Sequence, residues 1–310
     1  MRSTMMLVLC CLAGCAAANS PEQLAQEVQA ALDRGDLEGF AAHVDFTGTP
    51  ALFQEMLLET VVECSSAMRC TVSLTEADSD FDARLARLAE EGIELAHPVA
   101  GLLEIKAEAR QPGDQAMPAS TSSAPYALVE GRYRIINGRY TATRLAELQA
   151  TSALDAVKAT LQRGVLDPAT MEVIPDWSSQ ALSLAEGGGE VGEAWLARIE
   201  AVSAAVQAGD PDAAWEASGA WGRRILSPTD YFGNPIPMEV RKRLLRTEAL
   251  GMVATAQVLA GFQLDDLALL VIEGRNGAGN TLRGAMFVKR TELGWDHAGT
   301  GDHLIEIPAG

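Results

Sequence analysis

Histidine, cysteine and basic residues are scarce in this chain, and each scarcity removes a class of function. Four histidines in 310 residues, with no HExxH pair among them, leave no signature of a zinc hydrolase. Lys and Arg number 24 against 42 Asp and Glu, a formal charge of −18. Such a surface repels phosphate backbones, and no dense basic cluster reverses it, so nucleic acid is not an expected partner. There is no GxSxG elbow for a nucleophilic serine. Nor is there an apolar run of the ~20 residues needed to cross a bilayer. With hydrophobic residues at 48%, however, the chain can bury real cores and is not disordered throughout.

The first residues carry the firmest signal. Arg2 precedes an apolar run from Met5 to Leu12, which passes through small residues into Asn19-Ser20-Pro21. Charge followed by a short apolar run is the order of an export signal. Leu12-Ala13-Gly14-Cys15 resembles the bacterial lipobox, in which the cysteine becomes the lipidated N-terminus after cleavage. The resemblance implies a signal peptide over 1–14, diacylglycerol and palmitate-type acylation of Cys15, and a membrane as partner through that lipid. Two or three acyl chains at ~0.8 kcal/mol per buried methylene make a stable anchor. Ala16 in place of Asp implies, by the same resemblance, passage to the outer membrane facing the periplasm.

Cys10 and Cys11 fall in the discarded segment, which leaves Cys64 and Cys70 beside Cys15. In an oxidising compartment an isolated pair reads as a disulfide. A redox or metal pair is the alternative, but five intervening residues are not CxxC spacing and no nearby histidine completes a zinc set.

Beyond a tether at 15–20, Ser20-Pro21-Glu22-Gln23 forms a capping box, followed by Leu24, Val28, Ala31 and Leu32 on one face of a helix that stops at Gly35. Asp36 starts a second helix and Thr49-Pro50 a third. Alternation through Cys70, Val72 and Leu74 predicts a strand, residues 80–91 a helix, and Gly101 to Ala109 a strand. Tyr126 to Ile136 and Arg139 to Leu145 flank Asn137-Gly138, a pair suited to a type I′ hairpin turn. These elements form a first α+β domain over 21–150. A connecting helix and linker occupy 151–192, with Gly187-Gly188-Gly189 near its end. A second α+β domain over 193–310 opens with a helix ending at Gly209, restarts at Asp210-Pro211, and is expected to contain a long helix from Pro237 to Ala260. Its strands are Leu267 to Ile272, Arg283 to Thr291 and a piece near Trp295.

Aligning Val28–Asp36 with Val202–Asp210 matches Val28/Val202, Ala30/Ala204, Ala31/Ala205, Gly35/Gly209 and Asp36/Asp210, which suggests an internal duplication. Helix, Gly-Asp, helix, then antiparallel strands resembles the cone-shaped α+β roll of the nuclear transport factor two superfamily, carried here by Ala30 to Phe46, Ala204 to Trp215 and the terminal hairpins. The resemblance implies two such rolls and a role as an exported binding module or an enzyme with a pocket in one cone.

Chemistry-bearing residues are few. Asp296-His297 and Asp302-His303 are the candidate acid/base or metal-binding cluster, though the flexible Ala-Gly-Thr-Gly between them, and the opposite faces that adjacent Asp-His residues take on a strand, favour a solvated turn. Gly274 to Thr281 matches a phosphate loop except that Asn280 stands where lysine is required, and a strand rather than a helix follows. It reads as a hairpin loop. His43 and His97 are isolated, and Trp195, Trp215 and Trp221 fall on helical faces suited to packing. No cofactor is implied and no metal site is assigned. The expectation is a lipid-anchored envelope module that binds a protein or small molecule, with an acid/base enzyme and an envelope assembly factor as alternatives.

Overall fold

Capping chemistry at Ser20 starts the first helix. In the computed structural model, which describes residues 20–77, 79–109, 120–163, 165–166, 173–174, 182–218, 227–229, 233–292, 294–297 and 303–309, the Ser20 side chain accepts the Gln23 N–H at 3.2 Å. Helix α1 (Pro21–Arg34) follows, and Gly35, at φ 63°, ends it in the left-handed region that glycine adopts without steric cost. Asp36 caps α2 (Leu37–Ala41) through the Gly39 N–H. Strand β1 (Val44–Asp45) leads to α3 (Ala51–Ser66) and β2 (Met68–Thr75). Then come α4 (Ser79–Glu90), β3 (Ile93–Leu95), β4 (Gly101–Ala109), β5 (Ser120–Val129), β6 (Arg132–Ile136) and β7 (Gly138–Tyr140). A five-stranded sheet in the order β1-β6-β5-β4-β2 results, with β1 parallel to β6 and the rest antiparallel. Helices α1 to α3 cover one face, burying Leu24, Val28, Leu32, Phe40 and Val61 against Leu103, Ile105 and Ile135. Cys64 at the end of α3 is disulfide-bonded to Cys70 in β2.

The hairpin turn lies seven residues before the expected one. Glu130 and Gly131 both have positive φ, 51° and 80°, and the Val129↔Arg132 pairing leaves them as a two-residue loop. A primed turn of this kind matches the twist of the strands it joins. Asn137-Gly138 instead marks where the chain leaves the first sheet for a pairing of β7 with β3. Gly138 is needed there for close approach, because a Cβ would stand 2.7 Å from the Ile93 Cγ2. Past Tyr140 the expected strand gives way to α5 (Ala142–Ala150), capped by Thr141.

The second unit takes a layer from what the sequence marks as connection. Helix α6 (Ala153–Arg163) packs Ala153 and Val157 on Leu269, Val271 and Phe287 of the second sheet. Short strands β8 (Val165–Leu166) and β9 (Val173–Ile174) pair with each other, and β10 (Leu182–Ser183) joins the second sheet. Helix α7 (Gly189–Ala208), α8 (Pro211–Ala217) and α9 (Met238–Glu248) precede β11 (Val253–Leu264), β12 (Leu267–Asn276), β13 (Thr281–Thr291), β14 (Gly294–His297) and β15 (His303–Ile307). The sheet order is β10-β11-β12-β13-β14, with β15 on the same edge of β13 as β14. Helix α7 covers the face opposite α6 through Val191 and the buried Trp195. With both faces covered, Leu267 to Ile272 are buried without alternation.

The expected long helix from 237 to 260 is corrected: it stops at Glu248, and Val253 to Leu264 form a strand paired with β12 along its length. Alanine-rich sequence favours helix only weakly, and the ladder to β12 overrides it. Helix α9 also bridges the units. Its Val240 and Leu244 pack on the first core while Leu245 packs with Ala205 and Ala214.

Candidate functional site

Pro50 precedes α3 and offers no side-chain hydrogen bond to cap it. The cap comes from far along the chain. Glu306 of β15 accepts the Ala51 N–H at 2.6 Å through Oε1, placing a carboxylate at the positive end of the helix dipole. The same oxygen accepts the Asn276 side-chain amide at 3.1 Å and that of Asn280 at 2.5 Å. Both asparagines are buried, and the Asn280 Oδ1 accepts the Ala309 N–H in turn.

This network also settles the loop that resembles a phosphate cradle. The N–H groups of Asn276, Gly277, Ala278 and Gly279 donate to the carbonyls of Asn280, Met252, Leu250 and Asn276 respectively. Every one of these amides already has a partner within the chain, so the segment is a hairpin loop packed on residues 250–252.

Helix α3 carries Glu55, Glu59 and Glu63 at intervals of four, which puts them on one stripe. The stripe meets α9, which runs antiparallel to it: Arg243 donates to the Ser65 Oγ at 2.8 Å near one end, and Glu55 accepts the Gly251 N–H near the other. Across the stripe stands Glu248, 4% exposed. Burial, reinforced by the negative charge of Glu59 and Glu55, pushes the Glu248 carboxyl up to about 8. Burial likewise pushes Glu55 up to about 7; Glu59 and Glu306 act in the same direction, while the Gly251 N–H opposes them. Glu59 is raised by burial and by Glu63. A carboxyl that ionises only near neutral pH can hold a proton and donate it in a hydrogen bond. The seam therefore favours the protonated form of its carboxyls more than a solvated helix face does. Among the described residues no three His, Cys, Asp or Glu side chains are grouped to hold a metal ion.

The residues singled out from sequence are dispersed relative to this seam. Asp296 is buried and pairs with Arg198 of α7 at 3.1 Å. His297 lies across from Val288 and His303 across from Ala285 on one edge of β13. Asp302, Cys15, Trp221 and the imidazoles of His297 and His303 lie outside the described residues. His97 Nε2 is 3.2 Å from the Asp45 carboxylate, and His43 Nδ1 is 3.5 Å from that of Glu27, with burial lowering its proton affinity.

Two of the clefts among the described residues lie elsewhere. One of about 650 Å³ lies between α4 and the first sheet and is lined by Leu74, Phe81, Leu85, Val99 and Tyr126. The other, about 360 Å³, is lined by Val202, Val206, Met252, Val253 and Arg275. Neither is lined by the seam carboxylates. The seam escapes sequence reading because a Glu stripe usually marks a solvated helix face. Its signal was the apolar company of those glutamates, in the run Leu57-Leu58-Glu59 and Val61-Val62-Glu63.

Fold and site together define an α+β protein whose two sheet-and-helix units meet at a carboxylate-rich helix pair. Comparison with protein-family models, with curated proteins and with solved structures finds no match for this chain.

Proposed function

We propose that the chain is a lipoprotein of the cell envelope, held on the outer membrane through lipid on Cys15 and acting as a binding module. The observation that carries the binding part is an apolar surface on α3. Leu52, Phe53 and Met56 are 57%, 36% and 56% exposed on a helix whose other residues seal the joint between the units. Clustered exposed apolar side chains on one element suit contact with a partner. The cores beneath are filled by Phe40, Trp195 and Phe287, which favours surface recognition over a ligand enclosed in a cone.

The duplication has support of the same kind. Gly35 and Gly209 end their helices at φ 63° and 65°. The N–H groups of Gly35 and Asp36 return to Leu32 and Ala31, and those of Gly209 and Asp210 to Val206 and Ala205. Two matching helix ends followed by a third helix and an antiparallel sheet suit a pair of rolls of the nuclear transport factor two type. An acid/base enzyme is the weaker reading, since Asp296 is held by Arg198.

Fatty-acid labelling and membrane fractionation test the anchor: Cys15→Ala should lose both label and membrane retention, and persistence of either refutes it. A photo-crosslinking side chain at Phe53 in intact cells tests the surface. A discrete adduct that is lost on Met56→Asp is expected, whereas an adduct unaffected by that change, or no adduct, refutes the α3 site.

A further inference from the structure

Glu248 is 4% exposed, and among the described residues no hydrogen bond or ion pair reaches its carboxyl. A buried ionised carboxylate without a partner is costly, and the side chain it faces should then be a cation. Here the charges that act on it are the negative ones of Glu59 and Glu55. The surrounding elements do not correct this. On α9, Arg241 donates to Asp212 and to the Pro211 carbonyl of α8, Arg243 donates to Ser65 and the Gly35 carbonyl, Lys242 pairs with Glu239, and Arg246 is exposed. Glu63 of α3 and Glu306 of β15 add negative charge, and Tyr140 of β7 stands in the field of Glu306. Gly251 lies against Glu55, so closely that a Cβ there would overlap the Oε2.

We propose that the α3–α9 seam is a proton-operated latch between the two units: with Glu55, Glu59 and Glu248 protonated the helices stay closed, and loss of those protons drives them apart. Each carboxyl holds its proton more tightly in the closed seam than the free side chain does. Its contribution is therefore complete below about pH 4.5 and is lost as pH climbs through about 7 for Glu55 and about 8 for Glu248. The units are joined elsewhere by α5, whose Gln149 carbonyl accepts from Arg283 of β13, and by the Glu306 clasp, so opening concerns the helix pair and leaves the sheets intact.

Hydrogen exchange of the purified chain, read by mass spectrometry at about pH 5.5 and about pH 8.5 and scaled for intrinsic base catalysis, tests the latch. Protection of α3 and α9 should fall about tenfold or more at the higher pH while β12 keeps its protection. The double variant Glu55→Gln, Glu248→Gln, which cannot ionise at these positions, should show no such fall, and the control Glu108→Gln should behave as the unaltered chain. Equal protection at both pH values in the unaltered chain overturns the latch, whatever the variant does. So does a fall shared by β12, or one that persists in the double variant.

Discussion

The Ala51 N–H donates to the Glu306 carboxylate at 2.6 Å, joining residues 255 positions apart. One side-chain oxygen thereby caps a helix of the first unit while holding two buried asparagine amides of the second. Removing it leaves buried donors unsatisfied, at about 1–3 kcal/mol each. Glu306→Ala should therefore destabilise the chain by about 2–4 kcal/mol in chemical unfolding, and a loss under about 0.5 kcal/mol would show that the clasp contributes little.

Asp296 and Arg198 form a buried pair, with Asp296 almost wholly enclosed. Truncating one member of such a pair leaves the other uncompensated, at about 3–5 kcal/mol. Because Arg198 retains some exposure, the lower end applies. Asp296→Ala should lower the unfolding midpoint, and Arg198→Met in the same background should restore part of the loss. Independent, additive losses would contradict a direct pair.

The Cys64–Cys70 bond closes a loop of seven residues, for which chain entropy gives about 2.4 kcal/mol. Thiol labelling of unreduced protein should leave both cysteines unmodified, and Cys64→Ala, Cys70→Ala should cost about 2 kcal/mol in denaturant. Stoichiometric labelling of either thiol contradicts the bond.

Gly35 and Gly209 occupy equivalent helix ends yet have different surroundings. A Cβ on Gly35 would meet Arg243 and Ser65, whereas one on Gly209 meets nothing within 4 Å. Gly209→Ala should cost about 1 kcal/mol for left-handed backbone alone. Gly35→Ala should cost more, because Arg243 must also leave its place against α3. Equal melting shifts for the two variants would remove the packing difference.

Much of the helical framework was legible because it is written in local chemistry. Ser20, Asp36 and Asp210 cap their helices within three residues, and Gly35 and Gly209 stop theirs. Strand β4 follows from its own alternation. Strand β11 was not legible, since Val253 to Leu264 is rich in alanine and becomes a strand only through pairing with β12. The Glu130-Gly131 turn was hidden because glutamate is not a residue that favours positive φ. The seam was hidden for a stronger reason. Whether Glu55 is solvated or buried depends on where Glu248 and Gly251, almost two hundred residues later, come to rest.

Two short strands, β14 and β15, share one edge of β13, and the second of them delivers Glu306 to the start of α3. Order of synthesis then matters. A chain made from its N-terminus presents α1 to α3 first, but α3 has no side-chain cap until residue 306 has been made. Completion of the earliest unit is thus timed by arrival of the latest strand, so a partly made chain keeps the helix start at Ala51 open.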